Sequence, residues 1–110
     1  MFSYHELITI ESVARLGSFS HAADELHKVP SAISYTIKSV EERLNVCLFT
    51  RLHRKVELTA AGTYFVEQTR KLLKEMEDIR FNTQRVANGW QQSVSVALDN
   101  VVRENGVNQL

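Results

Sequence analysis

The sequence has few of the residues that break or brace a chain. One proline and four glycines are too few for a loop-rich sandwich or a low-complexity linker, so long uninterrupted elements are expected. A single cysteine, Cys47, excludes an internal disulfide and a thiolate metal cage. It lies in the apolar run Val46-Cys47-Leu48-Phe49, which predicts a buried and unreactive thiol. Neither sign of charge is in excess, because thirteen basic residues face thirteen acidic ones. Any attraction to a polyanion must therefore be local. No apolar run approaches the roughly 20 residues of a membrane span. The start, Met1-Phe2-Ser3-Tyr4-His5-Glu6, lacks the basic and apolar segments of a signal peptide, and a cytoplasmic protein is expected. His5, His21, His27 and His53 show no ligand spacing, and no glycine-rich phosphate loop, nucleophile–base pair or carboxylate pair stands out. No catalytic residue, metal site or cofactor is expected in this chain.

What is present is an apolar content of 44%, enough for one small core, arranged mostly at helical spacing. Ser3 and Glu6 have the spacing of a capping box, each side chain meeting the other's backbone N–H. Leu7, Ile10, Val13 and Ala14 form one stripe of a first helix, and Gly17 ends it in the left-handed conformation that glycine adopts without strain. Ser18 or Ser20 caps a short second helix with Ala22, Ala23 and Leu26 facing inward, and His27-Lys28-Val29 makes a turn. Pro30 suits the first position of a third helix. Val29 is a poor cap for it and Ser31 the alternative. Ile33, Ile37, Val40 and Leu44 fall on one face of this helix, and Asn45 is its left-handed stop. Leu48-Phe49 and Val56-Glu57-Leu58 suit two short strands, with Arg51-Leu52-His53-Arg54-Lys55 as a basic tip between them.

Thr59 caps a long helix that nothing interrupts before Asn88-Gly89. Gly62 is its one interior weak spot, expected at a close packing contact. Phe65, Leu72, Ile79 and Val86 recur every seven residues, with Thr69, Met76 and Thr83 between them. Such a seam suits packing along a partner helix, and Phe65, Leu72, Met76, Ile79 and Val86 are the expected dimer contacts. After Gly89 the period changes to alternation at Val94, Val96 and Leu98, which reads as a single strand. Three helices followed by a basic hairpin are the order of a winged helix-turn-helix, which is expected over 1–58, with a dimerisation helix over 59–89 and the opening of a second domain over 90–110.

The outer face of the third helix carries the functional argument. A helix that reads the major groove needs a face free of carboxylates, bearing hydroxyls and a few long donors. Ser31, Ser34, Tyr35 and Lys38 supply that face, and Glu41 and Glu42 come only at its far end. An ordinary solvated face has the same periodicity, so the neighbourhood decides. Between Lys28 and Lys55 six basic residues stand against two acidic ones. The positive charge is therefore gathered on the turn, the third helix and the hairpin, where DNA would lie. Arg51 and Arg54 are placed to reach phosphates or an adjacent minor groove. A helical dimerisation or protein-interaction module without DNA binding would instead need an exposed apolar patch on the third helix, which Ser31, Ser34 and Lys38 do not provide.

The runs Gly17-Ser18-Phe19-Ser20-His21-Ala22-Ala23-Asp24-Glu25-Leu26, Pro30-Ser31-Ala32-Ile33-Ser34, Val40-Glu41-Glu42-Arg43-Leu44, Leu48-Phe49-Thr50-Arg51-Leu52-His53-Arg54 and Leu58-Thr59-Ala60-Ala61-Gly62 resemble, in order and in register, the N-terminal signature of LysR-type transcriptional regulators. The resemblance implies a mainly α winged helix-turn-helix, three helices plus a two-stranded wing, followed by a long dimerising helix. It also implies a homodimer on double-stranded DNA and a separate C-terminal domain that binds a small effector. The family's DNA contacts carry over to Pro30, Ser31, Ser34, Tyr35 and Lys38, with Arg51 and Arg54 in the wing, and Lys28 joins them on charge. Departures from the pattern are Val29-Pro30-Ser31 where many members have Ser-Gln-Pro, Tyr35 where arginine is common, and Asn45 where glycine is common. They bear on which bases are read, not on the fold. Trp90 and Ala97-Leu98-Asp99-Asn100 are similar to a small branch of the family linked to purine uptake and breakdown.

Overall fold

Three helices form from three capped amphipathic segments: α1 (Tyr4–Leu16), α2 (Phe19–Leu26) and α3 (Pro30–Leu44). A hairpin, β1 (Phe49–Leu52) and β2 (Lys55–Leu58), and a long helix, α4 (Ala60–Ser93), follow. The structure is a computed structural model that describes residues 1–93. The expected strand at Val94, Val96 and Leu98 and the motif Ala97–Asn100 lie outside the described residues, as does the Trp90 side chain. The chain divides into two units, Met1–Leu72 and Leu73–Leu110, with α4 contributing to both.

Caps fix where each helix begins and stops. Ser3 Oγ accepts from the Glu6 N–H at 3.1 Å and Glu6 Oε1 accepts from the Ser3 N–H at 3.0 Å, which completes the capping box. Gly17, at φ 68°, closes α1. Ser18, not Ser20, caps α2 through the His21 N–H. His27 and Asn45 take the left-handed conformation at φ 58° and stop α2 and α3. Val29 is the N-cap of α3 and gives it no side-chain bond; Pro30 fills the first position.

The core of the first unit lies between the three helices, the wing root and the start of α4. Ile10, Val13, Ala22, Ala23, Ile33, Ile37, Val40, Leu48, Phe49 and Val66 are buried in it. Alanine at 22 and 23 removes the bulk that would hold α2 away from α1 and α3. Two buried hydroxyls on α1 are satisfied rather than stranded. Thr9 donates to the His5 carbonyl at 2.8 Å, and Ser12 donates to Glu25 at 2.8 Å. Glu25 also receives Arg15, and together Arg15 and Ser12 hold its carboxyl below the usual carboxylate range. Glu11 receives both Arg15 and, from α4, Arg70, each at 3.3 Å.

The strands pair antiparallel from Phe49↔Leu58 to Leu52↔Lys55. They extend further toward the tip than the sequence suggests, so Arg51 and Lys55 belong to the strands and only His53-Arg54 forms the turn. A ribbon with solvent on one face accepts charged side chains at alternate positions, and charge there was no sign of a loop. The root of the wing is tied on every side. The Val56 N–H donates to the Gly17 carbonyl at 3.1 Å, and the Thr59 N–H to the Leu48 carbonyl at 3.0 Å. Thr59 Oγ1 donates to the Cys47 carbonyl at 2.6 Å and accepts from the Gly62 N–H at 3.0 Å. Gly62 is where α4 meets this root. A Cβ added there would sit 1.9 Å from the Leu48 carbonyl oxygen, a distance no side chain tolerates.

Two expectations are corrected. Cys47 is exposed, because Leu48 and Phe49 take the two inward places at the root and leave their neighbour in solvent. The long helix passes Asn88-Gly89 and runs to Ser93. A glycine inside a helix costs only about 1 kcal/mol relative to alanine, and Gly89 has no left-handed φ to end it.

Candidate nucleic-acid interface

The apolar half of α3 decides what its other half can do. Ile33, Ile37 and Val40 are buried, which turns the face at three- and four-residue offsets outward. Pro30, Ser31, Tyr35 and Lys38 are exposed there and Ser34 is half-exposed. Tyr35 keeps 76% of its surface, so no packing role accounts for it. Burial on one side and hydroxyl, phenol and ammonium groups on the other give the first two turns of α3 a polar, carboxylate-free surface.

The charges sort into paired and unpaired. Arg43 is withdrawn from the surface set: it binds Glu6 and Ser39, donates to the Met1 carbonyl at 2.6 Å, and its guanidinium lies 5.7 Å from the Phe2 ring centre. The Ser3 N–H and Arg43 together hold the Glu6 carboxyl below its ordinary range. Glu41 is withdrawn too, since its Oε2 accepts the Leu48 and Phe49 N–H groups at 2.7 and 3.2 Å. Lys55 lies 3.8 Å from Glu57. Lys28, Lys38 and Arg54 have no acidic partner among the described residues, and all three are exposed, Lys38 on the polar face of α3, Lys28 two residues before the start of that helix and Arg54 in the turn of the wing. Cations left without internal partners are the electrostatic footprint of an anion-binding surface.

Arg51 differs from the rest. Its Nη2 donates to Ser34 Oγ at 2.9 Å, and its guanidinium stacks 4.3 Å from the ring centre of Phe19. It lies in a cleft with Ser34, Lys38 and Glu41, rather than at the wing tip. Phe19 and Glu41 were not among the sequence-predicted site residues. Their parts depend on contacts across 32 and 7 or 8 positions, which helical periodicity does not encode.

The α4 residues expected at a dimer seam divide in the same way. Phe65 is half-buried, edge-on to Phe2 with ring centres 5.4 Å apart, and Thr69 is buried in the first unit with Val66. Leu72, Met76, Ile79 and Val86 are exposed, Ile79 by 66%. Among the described residues no helix is long and apolar enough to cross a membrane, and no cluster of three His, Cys, Asp or Glu side chains could hold a metal ion.

Against this geometry stand the comparisons with known proteins. Residues 4–63, which run from α1 through the wing to the first turn of α4, match the model of the bacterial regulatory helix-turn-helix protein, lysR family. The chain belongs to the LysR family. Among its LysR-family relatives are the HTH-type transcriptional regulator PunR of Escherichia coli K12, 49% identical over 110 residues, and the HTH-type transcriptional activator AllS of Klebsiella pneumoniae, 36% identical over 102 residues. These alignments cover 100% and 93% of this chain but 36% and 38% of the two relatives. The chain thus spans little more than a third of their length. The crystal structure of the CbnR_DBD-DNA complex is similar with a TM-score of 0.72 and 31% identity, over 78% of this chain and 99% of that one. The BenM_DBD/benA site 1 DNA complex gives 0.75 and 31%, over 80% and 99%. The winged helix-turn-helix of a LysR-family regulator is therefore the architecture of the first unit.

Proposed function

We propose that this chain is the sequence-specific DNA-binding part of a cytoplasmic transcription regulator. It binds double-stranded DNA as a homodimer on a two-fold-related site. The observation that carries the reading is the carboxylate-free outer face of α3 with Lys38 unpaired on it, supported by unpaired Lys28 just before the helix and unpaired Arg54 in the wing. Ser31, Ser34 and Tyr35 on that face read base edges in the major groove, with Pro30 setting the start of the helix against the backbone. Lys28 and Lys38 meet phosphates. Arg54, at the wing tip, reaches a phosphate or the neighbouring minor groove.

Support for the dimer comes from α4. Leu72, Met76, Ile79 and Val86 expose an apolar stripe at heptad spacing, which a second copy of the same helix covers. One recognition helix spans only a few base pairs, so two held at a fixed spacing are needed for a useful site. A small effector acting through sequence beyond these 110 residues completes the reading; no cofactor is assigned to this chain. The test is a gel mobility titration with labelled DNA from upstream of the protein's own gene against a scrambled duplex of equal length. Preference for the upstream DNA is expected, and equal affinity for both overturns the sequence-specific reading.

A further inference from the structure

Arg51 is held from two sides, and the way it is held sets the chemistry of Ser34. Three elements meet at this point: Phe19 opens α2, Ser34 lies on α3, and Arg51 lies in β1. The guanidinium stacks on the ring at 4.3 Å and donates to Ser34 Oγ at 2.9 Å. Glu41 lines the same cleft but does not compete for it, because its carboxylate is engaged by the Leu48 and Phe49 N–H groups. A serine hydroxyl has one hydrogen to give and two lone pairs to receive with. Arg51 fills one lone pair and places a positive charge beside the oxygen, which repels a second donor. The hydroxyl hydrogen itself has no acceptor among the described residues.

We propose that Arg51 is a specificity-positioning residue, which fixes Ser34 as a hydrogen-bond donor toward the DNA. This inference rests on the reading of α3 given above. The DNA group that faces Ser34 must then be an acceptor. Guanine O6 and N7, adenine N7 and thymine O4 qualify in the major groove, whereas cytosine presents the N4 amino donor. One half-site position should therefore disfavour cytosine on the strand that Ser34 faces. That preference depends on Arg51 although Arg51 does not touch the base.

The experiment titrates the whole chain against a half-site library at several salt concentrations, as wild type, Ser34→Ala, Arg51→Met and the double variant. Wild type is expected to penalise cytosine at one position by roughly tenfold. Each single variant flattens that penalty to within about twofold and keeps the other preferences, and the double variant matches the singles. The salt slope of Arg51→Met stays that of wild type. A slope smaller by roughly 0.9 makes Arg51 a phosphate contact and overturns the proposal. Additive effects of the two substitutions overturn it as well. So does a cytosine penalty retained in Ser34→Ala, which loses only a surface hydroxyl and decides the matter even if Arg51→Met fails to fold. A wild type indifferent to sequence removes the DNA-reading function itself, whereas the other outcomes remove only the role of Arg51.

Discussion

The outer faces of α3 and α4 are both exposed, yet they leave opposite things unsatisfied. On α4 the charges are balanced: Lys74 pairs with Asp78 at 3.1 Å and Arg80 with Glu77. Arg70 reaches Glu11 on α1, and the exposed remainder is two acidic residues, Glu67 and Glu75, against two basic ones, Lys71 and Arg85. What sets this helix apart is the apolar surface it leaves uncovered, at Leu72, Met76, Ile79 and Val86. On α3 Ile33, Ile37 and Val40 are buried and the opposite face is polar and cationic, with Lys38 unpaired on it, Lys28 unpaired just before it and Arg54 unpaired in the wing. Charges balanced in sign along a helix do not draw in a polyanion, and an apolar stripe does not draw in a phosphate. One helix is thus suited to a copy of itself and the other to nucleic acid. Variants at the two faces should fail in separable ways.

The largest effect is expected at α4. Ile79→Asp places a charge in the apolar stripe and should convert a dimer, present at about ten micromolar, into a monomer with its helix content intact. Losing the second half-site contact should weaken binding to the full site on the order of 10²–10⁴-fold. Light scattering with a binding titration checks this; a monomeric wild type, or a variant that still dimerises, places the clamp elsewhere. Next is the junction that serves both faces. Gly62→Ala forces a methyl group into the Leu48 carbonyl and should cost about 3 kcal/mol of stability through overpacking, read as a lower denaturant midpoint. An unchanged midpoint means the wing root yields more easily than its hydrogen bonds suggest.

On α3, Tyr35→Ala should leave stability alone and cost about 1–3 kcal/mol on specific DNA, with little change on random DNA. Equal losses on both duplexes remove its base-reading role. Arg54→Ala should weaken binding to all sequences alike and reduce the slope of log K against log salt by roughly 0.9; a preserved slope puts Arg54 away from the backbone. The smallest effect concerns neither face. Glu25 and Glu6 have carboxyls held below their ordinary range, Glu25 chiefly by Arg15 and Glu6 chiefly by the Ser3 N–H. A depressed folded-state value stabilises the fold above the unfolded value of about 4.3, and that stability fades as pH falls through the folded value. Melting temperature should drop in acid, and Glu25→Gln should show a shallower drop between neutral pH and pH of about 3. An equal drop in the variant assigns the acid sensitivity to other carboxylates.

Local rules carried most of the architecture. As helix caps and starts, Ser3 and Glu6, Gly17, Pro30, Asn45 and Thr59 act within four residues of themselves, and period alone separates Ile33, Ile37 and Val40 from Ser31, Tyr35 and Lys38. Features that depend on distant neighbours were not legible. Whether Cys47 is buried turns on which two of four adjacent apolar residues face the core. Arg43 and Arg51 belong to the same local basic cluster in the sequence, yet one is spent on Glu6 and the other on Ser34 and Phe19. Thr69 sits at seam spacing with Leu72, but it is buried in the first unit, because the inner face of α4 there is set by Gly62 and Val66.

The bonds of Thr59 to Cys47, Leu48 and Gly62 close the hairpin at its base, while the opposite end consists of two exposed turn residues, His53 and Arg54. Changes in chain length are consequently tolerated unequally. Residues added between Leu52 and Lys55 leave every bond at the base in register, whereas one residue added between Cys47 and Phe49 displaces the Leu48 carbonyl from Thr59 and from the notch at Gly62. The wing is an exchangeable cassette: tips of different reach or charge can be grafted onto the same three-helix body without asking that body to refold.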